Sequence, residues 1–478
     1  MSRAERSVGM TAELSSIAQQ HLLRKDGHED LCFALWHPSR GKERYTALVR
    51  RIIFPEKGDR SVHGNVSFES GYFERALAEA AATGAGLALM HSHPRGLGWQ
   101  GMSKPDVATE NSISAAVFGA TRRPFVGLTV ARDGAWSARF WERAAPRTYS
   151  RGDCATVRVL GDRISVTYMD QLAPPPLANE EQIRTVSSWG ERTQRDLARL
   201  RIGVVGNGSV GGLVAEALAR TGFEDVVLID FDRVEKHNLD RLNYATREDI
   251  GKLKVEVLGR HLVGRATAAP FRVDLVEAAV YEAEGFRSAL DCDILFSCVD
   301  RPWGRYILNL IAFAHLIPVI DGGISVRSNR HGMLAAADWR AHTATFGRRC
   351  LQCLGQYDPG LVQTEREGLL DDPSYIEGLP KDHPLKSREN VFAFSMSCAS
   401  LEMLQMLALA IAPLNQANPG AQLYHFVGNI TEEAQYAGCH IGCQFPGLVG
   451  LGDDCGIRAT GARPIARQTA ISEQLGAR

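Results

Sequence analysis

The residues with the most chemistry in this chain of 478 residues fall in three clusters. The first is Met90–Asp106, MHSHPRGLGWQGMSKPD. An apolar run, Gly86–Leu89, leads into it and reads as a strand, so His91 and His93 point to one face. Two imidazoles side by side at a strand end, with Asp106 delivered from the next loop, supply three ligands for a divalent metal. Zinc in a catalytic site keeps three protein ligands and one open position, where the pKa of a water falls to about 7. A nearby carboxylate can take that water's proton and pass it to a leaving amine. A plainer reading stands beside this one: Ser103 and Asp106 have the spacing of a capping box for a helix starting near Pro105.

The second cluster begins at Gly206-Asn-Gly208-Ser-Val-Gly211, between the strand-like Arg201–Val205 and a helical pattern. Glycines there permit a tight turn and let backbone N–H groups approach phosphate at a helix N-terminus. Asp230 ends the next strand, where a carboxylate can hold ribose hydroxyls. These features alone describe a dinucleotide or nucleotide site, with a nicotinamide oxidoreductase as the default. Asp230-Phe-Asp232, Asn238-Leu-Asp-Arg241, Gly251-Lys-Leu-Lys254 and Ser297-Cys-Val-Asp300 change that reading. A guanidinium and an ammonium beside the phosphates suit a reaction in which charge develops on a triphosphate. Asp300, at a strand end, is placed to hold Mg²⁺. The third cluster is Cys350-x-x-Cys353 with Cys439-x-x-x-Cys443; four thiolates make a closed tetrahedral zinc site tying distant segments together.

The elements that must carry these residues follow from periodicity. Helical spacing runs over Thr11–Arg24 and Phe73–Ala82, and strands over Leu31–Trp36, Tyr45–Ile53 and Gly86–His91. Val157–Leu172 is strand-like, and Pro174-Pro175-Pro176 makes a stiff spacer, so a linker falls at about 165–180. Beyond it, Arg201–Val205, Val210–Arg220, Asp225–Ile229, Lys254–Val263, Ile294–Cys298, Trp303–His315 and Pro318–Ile320 alternate strand and helix, which implies βαβ units and a parallel sheet. Residues 354–390 read as a long loop and Val391–Ala412 as a long helix. Lys plus Arg (54) balance Asp plus Glu (55), which argues against a nucleic-acid wrapper or a polybasic membrane binder. Asn309, His315, Pro318, Glu402 and Gln405 interrupt the longest apolar runs before they reach the ~18 residues of a membrane span. MSRAERSVGM lacks the apolar core of a signal peptide, and ten cysteines are too sparse for a secreted disulfide scaffold. We therefore expect a cytoplasmic α/β protein of two domains.

His91-Ser-His93-Pro94 with Ser103-x-x-Asp106 resembles the JAB/JAMM (Mov34/MPN-like) metalloprotease motif of deubiquitinase-type isopeptidases, over about residues 10–145. The resemblance implies His91, His93 and Asp106 as zinc ligands, Ser103 as donor to the oxyanion, and an upstream glutamate on the first strand as general acid/base. Glu29 fits that place best and Glu43 less well. The spacing from His93 to Ser103 is longer than the family pattern shows. Residues from about 182 to 450 resemble the ThiF/MoeB/HesA superfamily, the ubiquitin-activating-enzyme fold, with a Rossmann-like, mainly parallel sheet. That likeness implies ATP as substrate, Asp230 on the ribose, Arg241 and Lys254 on the phosphates with Asn238 and Asp232 supporting, and Mg²⁺ on Asp300. It also implies the four-cysteine zinc, although the family's second pair is usually closer, so His440 or Cys455 could replace one ligand. A homodimer and an arginine finger from the neighbouring subunit, here Arg184, are implied as well. Family members that form a thioester carry a cysteine in the crossover loop; 354–390 has none, which leaves Cys398 or Cys455.

The combined expectation assigns 1–150 to the metallopeptidase, 151–180 to a strand and linker, 181–460 to the adenylation domain, and 461–478 to a tail. Together the two resemble bacterial ubiquitination-like operon proteins, some linked with antiphage defence. The activator would adenylate the C-terminal glycine of a ubiquitin-like protein, which a conjugating enzyme could then receive, and the peptidase would process the same tail. The alternatives are an activator of a sulfur-carrier protein and a binding scaffold with two inactive sites.

Overall fold

The computed structural model describes residues 5–177, 179–371, 377, 389–415, 420–434 and 438–463. The remainder of the expected tail from 464, and most of 372–388, lie outside the described residues. The chain forms two compact units: the first runs to Pro175 and takes in Ala314–Leu316 and Gly447–Gly456, and the second holds the rest.

The first unit begins β1 (Glu5–Thr11), α1 (Ala12–Leu22), β2 (Leu31–Arg40) and β3 (Arg44–Ile53). A separate hairpin, β4 (Arg60–His63) and β5 (Asn65–Phe68), precedes α2 (Ser70–Thr83) and β6 (Gly86–His93). Then come α3 (Lys104–Thr121), β7 (Phe125–Ala131), β8 (Trp136–Ala145), β9 (Thr148–Asp153), β10 (Thr156–Leu160) and β11 (Ile164–Tyr168). Nine strands make one sheet in the order β11-β10-β1-β3-β2-β6-β7-β8-β9. Parallel pairing of β10 with β1 carries the sheet past residue 150, so the boundary expected there falls inside the fold and is corrected to Pro175. One face packs Val8, Cys32, Ala34, Trp36 and Met90 with Ala18 and Leu22 of α1. The other packs Leu31, Phe33, Leu87 and Leu89 with Tyr72 and Ala76 of α2 and Ile113 and Val117 of α3. Burial on both faces is why β2 and β6 are continuous apolar runs rather than alternating ones.

At one end of the α3 face the lining turns polar. Glu110 of α3 and Arg139 of β8 are each about 2 % exposed and pair there, with the Arg139 Nε–Oε2 bond at 3.0 Å. Trp141 Nε1 donates to the same carboxylate at 2.7 Å. Gly127 stands opposite Arg139 in the register, and a Cβ at that position would fall 2.3 Å from Glu110 Oε1 and 2.5 Å from Arg139 Nε.

The second unit begins with α4 (Ile183–Trp189), α5 (Glu191–Ala198), β12 (Arg201–Val205), α6 (Ser209–Thr221), β13 (Asp225–Ile229) and α7 (Lys254–Val263). It continues through β14 (Arg272–Val276), α8 (Ala283–Ala289), β15 (Ile294–Ser297), α9 (Pro302–Ala314), β16 (Val319–Ser328) and β17 (Leu334–Ala344). α10 (Pro359–Arg366), α11 (Phe392–Ile411), β18 (Ala421–His425) and β19 (Ile430–Ala434) follow. Its sheet runs β14-β13-β12-β15-β16-β17-β18-β19. The first five strands are parallel, as the βαβ pattern predicts, and the last three pairings are antiparallel. The expected loop 354–390 contains α10, because Asp358 caps it and Pro359 opens it.

α11 corrects the expectation that no run is long enough for a membrane: by length and composition it could span one. Half of its window is buried inside this unit, and Glu402 and Gln405 are fully buried along it. Gln405 Nε2 donates to Gly420 O at 2.9 Å and Gln405 Oε1 accepts from Thr343 Oγ1 at 2.9 Å, so its polar groups are spent within the fold.

A Gly127→Ala protein is expected to lose about 3 kcal/mol of stability in urea unfolding, because the methyl splits a buried ion pair and leaves both charges unpaired. A loss below about 1 kcal/mol, the usual reach of surface changes, would show that the pair yields without cost.

Candidate functional sites

His91 pairs with Leu31 of β2 across antiparallel strands, and that register sets Glu29 opposite His93. Glu29 is therefore not on the first strand of the chain, which is β1, but just ahead of β2. Glu43 lies just ahead of β3, a strand whose neighbours are β1 and β2 and which β2 separates from β6. Asp106 arrives in the first turn of α3, where Ser103 is the N-cap. The capping box forms in full: Ser103 Oγ accepts from Asp106 N at 3.2 Å, and Asp106 Oδ2 accepts from Ser103 N at 2.9 Å. It does not exclude the metal reading, since it turns the Asp106 carboxylate toward the histidines. His91 Nε2 lies 3.3 Å from His93 Nε2 and 3.9 Å from Asp106 Oδ2, and His93 Nε2 lies 3.5 Å from that oxygen. Tetrahedral zinc with ligand bonds of about 2.0–2.2 Å separates its ligands by roughly 3.3–3.6 Å; two of the three separations fall in that range and the third, His91 to Asp106, is about 0.3 Å beyond it.

The electrostatics agree with a ligand set. Burial, aided by Arg139, pushes His91 down to about 3 and so keeps it neutral. A bond to Asp106 raises His93; burial opposes ionisation of Asp106, but His93, His91 and the Ser103 bonds together outweigh it and the carboxyl stays well below its ordinary range. Burial raises Glu29, with His93 opposing and Asp106 adding to the rise. Asp30, which sequence reasoning missed, anchors this corner. It is 1 % exposed, accepts from Arg60 at 2.5 and 2.8 Å, and its backbone N–H donates to Ser92 Oγ at 3.0 Å.

In the second unit the strand order reverses about β12, whose neighbours are β13 and β15, and ligands of open α/β sheets bind at the carboxyl ends beside such a point. Gly206 (φ 88°) turns the chain there; a Cβ would fall 2.5 Å from Cys298 O. Gly211 passes so close to Gly206 O that no side chain fits, and Gly208 is the N-cap of α6. Asp230 accepts from Asn207 N at 2.6 Å and from Asp232 N at 2.7 Å; burial raises its carboxyl while Lys254 opposes. Lys254 Nζ bonds Asp232 Oδ2 at 2.7 Å. Asn238 caps its own turn, its Oδ1 accepting from Glu235 N at 3.0 Å, and Arg241 bonds His237 O at 2.6 Å and Asp240 at 2.9 Å. Asp300 is exposed just past β15, an oxygen donor of the kind Mg²⁺ takes. Arg184 is exposed on α4.

Below this crevice lies a network the motifs did not disclose. Asp321 is fully buried and accepts from Ser297 Oγ at 2.7 Å, Arg305 Nε at 3.0 Å and Arg340 Nη1 at 2.7 Å. Burial drives the neighbouring Glu402 to its protonated form, with Asp321 adding to it; Cys298 Sγ is 3.7 Å from its Oε2. Phe231, between Asp230 and Asp232, lies under Arg463, which Glu282 holds at 3.0 Å.

The four cysteines Cys350, Cys353, Cys439 and Cys443 come together, their sulfurs all within 4.8 Å. Cys350 and Cys443 are 3.7 Å apart, close to the roughly 3.8 Å of tetrahedral zinc with Zn–S bonds of about 2.3 Å. Neither His440 nor Cys455 belongs to that group; Cys455 lies in the 447–456 segment of the first unit. Cys398 is fully buried, and burial holds its thiol well above the ordinary range, which fits a core residue and not a nucleophile.

A glycine turn at a helix N-terminus, a buried acidic residue at the next strand end and a basic residue opening a further helix define a nucleotide-binding α/β fold. The ThiF family pattern matches residues 180–430, more than half of the chain, and the chain belongs to that family. It is 33 % identical over 148 residues to tRNA threonylcarbamoyladenosine dehydratase 2 of Saccharomyces cerevisiae, covering 30 % of this chain and 33 % of the relative. It is 28 % identical over 197 residues to ubiquitin-like modifier-activating enzyme 5 of Drosophila willistoni (38 % and 47 % covered). It is 27 % identical over 165 residues to molybdopterin-synthase adenylyltransferase of Escherichia coli (34 % and 66 % covered). The chain thus spans less than two thirds of the length of each of these relatives. Among solved structures, E. coli MccB with ATP aligns at 18 % identity and a TM-score of 0.41, covering 56 % of this chain and 74 % of that one.

Since Asp30 is held below its ordinary 3.8, by Arg60 against the opposing effect of burial, its ionisation stabilises the fold above that value. This stability is lost as the pH falls through the lower, folded-state value. Asp30→Asn is expected to lower Tm at pH 6 and to flatten its decline between pH 4 and 2; a parallel decline in variant and wild type would count against the ion pair.

Proposed function

We propose that the second unit adenylates a C-terminal glycine carboxylate of a ubiquitin-like or sulfur-carrier-like protein, and that the first unit is a zinc-dependent isopeptidase acting on the same kind of tail. The adenylation reading rests on family membership together with the Asp230–Lys254 corner beside the glycine turn. Relatives named as a ubiquitin-like modifier-activating enzyme and a molybdopterin-synthase adenylyltransferase support the substrate class.

In this reaction a carboxylate oxygen attacks the α-phosphorus of ATP, the bond from that phosphorus to the β-phosphate oxygen breaks, and pyrophosphate leaves. Asp230 would hold the ribose, the N-terminus of α6 would face phosphate through its free N–H groups, and Lys254 and Arg241 would exchange their present partners for phosphate oxygens. Mg²⁺ on Asp300 would neutralise charge on the leaving pyrophosphate. No step requires a thioester, which accords with the burial of Cys398.

The peptidase reading rests on the convergence of His91, His93 and Asp106 at separations close to those of a tetrahedral ligand set. Zinc there would supply Lewis-acid polarisation of the scissile carbonyl. Glu29, raised by burial, is suited to take a proton from the attacking water and deliver it to the leaving amine. Ser103 uses its oxygen lone pair on Asp106 N–H and keeps its own proton to donate to the carbonyl oxygen. The four cysteines would hold a second, structural zinc.

Arg241→Ala and Asp300→Ala are each expected to reduce ATP–pyrophosphate exchange at least a hundredfold while leaving peptidase cleavage intact; loss of both activities would refute independent sites. Elemental analysis is expected to find about two zincs per chain. His91→Ala should lose one and Cys350→Ala the other; a wild type with a single zinc that survives His91→Ala would refute the peptidase reading.

A further inference from the structure

Thr129 stands beside His91 in the parallel pairing of β6 with β7, and it belongs to none of the ligands or catalytic residues that the sequence motifs single out. Its Oγ1 is 3.4 Å from His91 Nε2, the nitrogen that also faces His93 and Asp106. Arg139 Nη1 donates to the same oxygen at 2.6 Å. A hydroxyl has one proton and accepts through its oxygen. With Arg139 occupying the acceptor side, the Thr129 proton is directed away from Arg139 and toward the pole where the three ligand atoms converge.

Arg139 cannot swing away. Glu110 binds it in a bidentate pair, Trp141 Nε1 fixes the carboxylate, and Gly127 leaves the room both occupy. Glu110 lies one helical turn after Asp106 on α3, so one ion pair holds the helix that supplies Asp106 and the guanidinium that orients Thr129. A buried charge pair is an unfavourable way to add stability alone, and a hydrophobic pair would serve as well. Its geometry here has a second use.

We propose that Thr129 is a hydroxyl donor to the substrate oxygen at the metal pole, and that Arg139 and Glu110 are the residues that position it. The proposal rests on the metallopeptidase reading. Once a cation takes the lone pair of His91 Nε2, the Thr129 proton loses that acceptor and is available to an oxygen of the bound substrate. Thr129 then supplies a second donor beside Ser103, buried where Ser103 is exposed. Water exclusion makes a fixed donor count for more at that depth.

The test uses the full chain with Co²⁺ in place of zinc and acetohydroxamate, a small oxygen ligand, as probe. Cobalt at the cysteine cluster is recognised by its sulfur charge-transfer band, and the His91 site by the d–d bands lost in His91→Ala. Thr129→Val, which keeps the shape and removes the hydroxyl, is expected to bind Co²⁺ as tightly as wild type while acetohydroxamate binds about tenfold more weakly. Thr129→Ser should restore binding to within about twofold. Arg139→Met combined with Glu110→Leu leaves no lone buried charge, and it should weaken the probe as Thr129→Val does, with no further loss when the three changes are combined. Unchanged acetohydroxamate affinity in Thr129→Val would overturn the assignment, and so would loss of cobalt, which would make Thr129 a support of the ligands only. If the wild type shows no His91-dependent d–d band, the metallopeptidase reading itself fails, and the proposal falls with it for that separate reason.

Discussion

A carboxylate taken out of water must find donors for its oxygens, and both units are arranged around that requirement. In the first, Glu110 is met by Arg139 and Trp141, which ties α3 to the sheet at the level of Leu89, two residues before His91. In the second, Asp321 is met by Arg305, Arg340 and Ser297, which joins the start of α9 to β15, β16 and β17. Replacing either pair by well-packed apolar groups would cost the fold little, because desolvation consumes most of the Coulombic gain. What the pairs contribute is position. Each fixes the direction from which a neighbouring element enters, and at each one a chemically capable residue, Asp106 or Asp300, lies within a few residues.

The two candidate sites use the same geometrical device in different sheets. Strands end together, side chains of one face converge, and a helix begins at the edge with its N-terminus toward the gap. In the second unit the gap lies where the strand order reverses, and close approach of Gly206 to Cys298 leaves the backbone itself as the lining. In the first the helix carries a carboxylate in its first turn, so the helix end brings Asp106 beside the two histidines. The capping bonds of Ser103 and Asp106 and the placing of Asp106 near the histidines are one structure, not competing uses of the same residues.

Glu402 and Cys398 show the opposite side of burial. Glu402 sits beside an ionised aspartate with no guanidinium bonded to it, so it holds its proton. Cys398, one turn earlier on the same helix, has its thiol held up by burial. Polar residues on α11 thus serve the interior, and their presence explains how a helix apolar enough to be mistaken for a membrane span belongs to a folded unit.

Local patterns were legible in the sequence wherever particular residue types recur at short spacing. His91, His93 and Asp106, the glycines at 206, 208 and 211, Asp230 and the two cysteine pairs stood out because their residue types and spacings are visible without the fold, and the structure brings the two histidines with Asp106, and the four cysteines, together. Parallel βαβ order was readable for the same reason: alternation of periods is a local property. Thr129, Arg139 and Asp321 were not readable. Their meaning depends on strand order, on which face each strand turns inward and on a helix packed from elsewhere in the chain, and no local pattern encodes these. The extension of the first sheet past residue 150 was decided the same way, by β10 pairing with β1. Sequence alone named the groups able to do chemistry; the tertiary structure decided which buried donors aim them, because burial and hydrogen-bond direction exist only once distant segments meet.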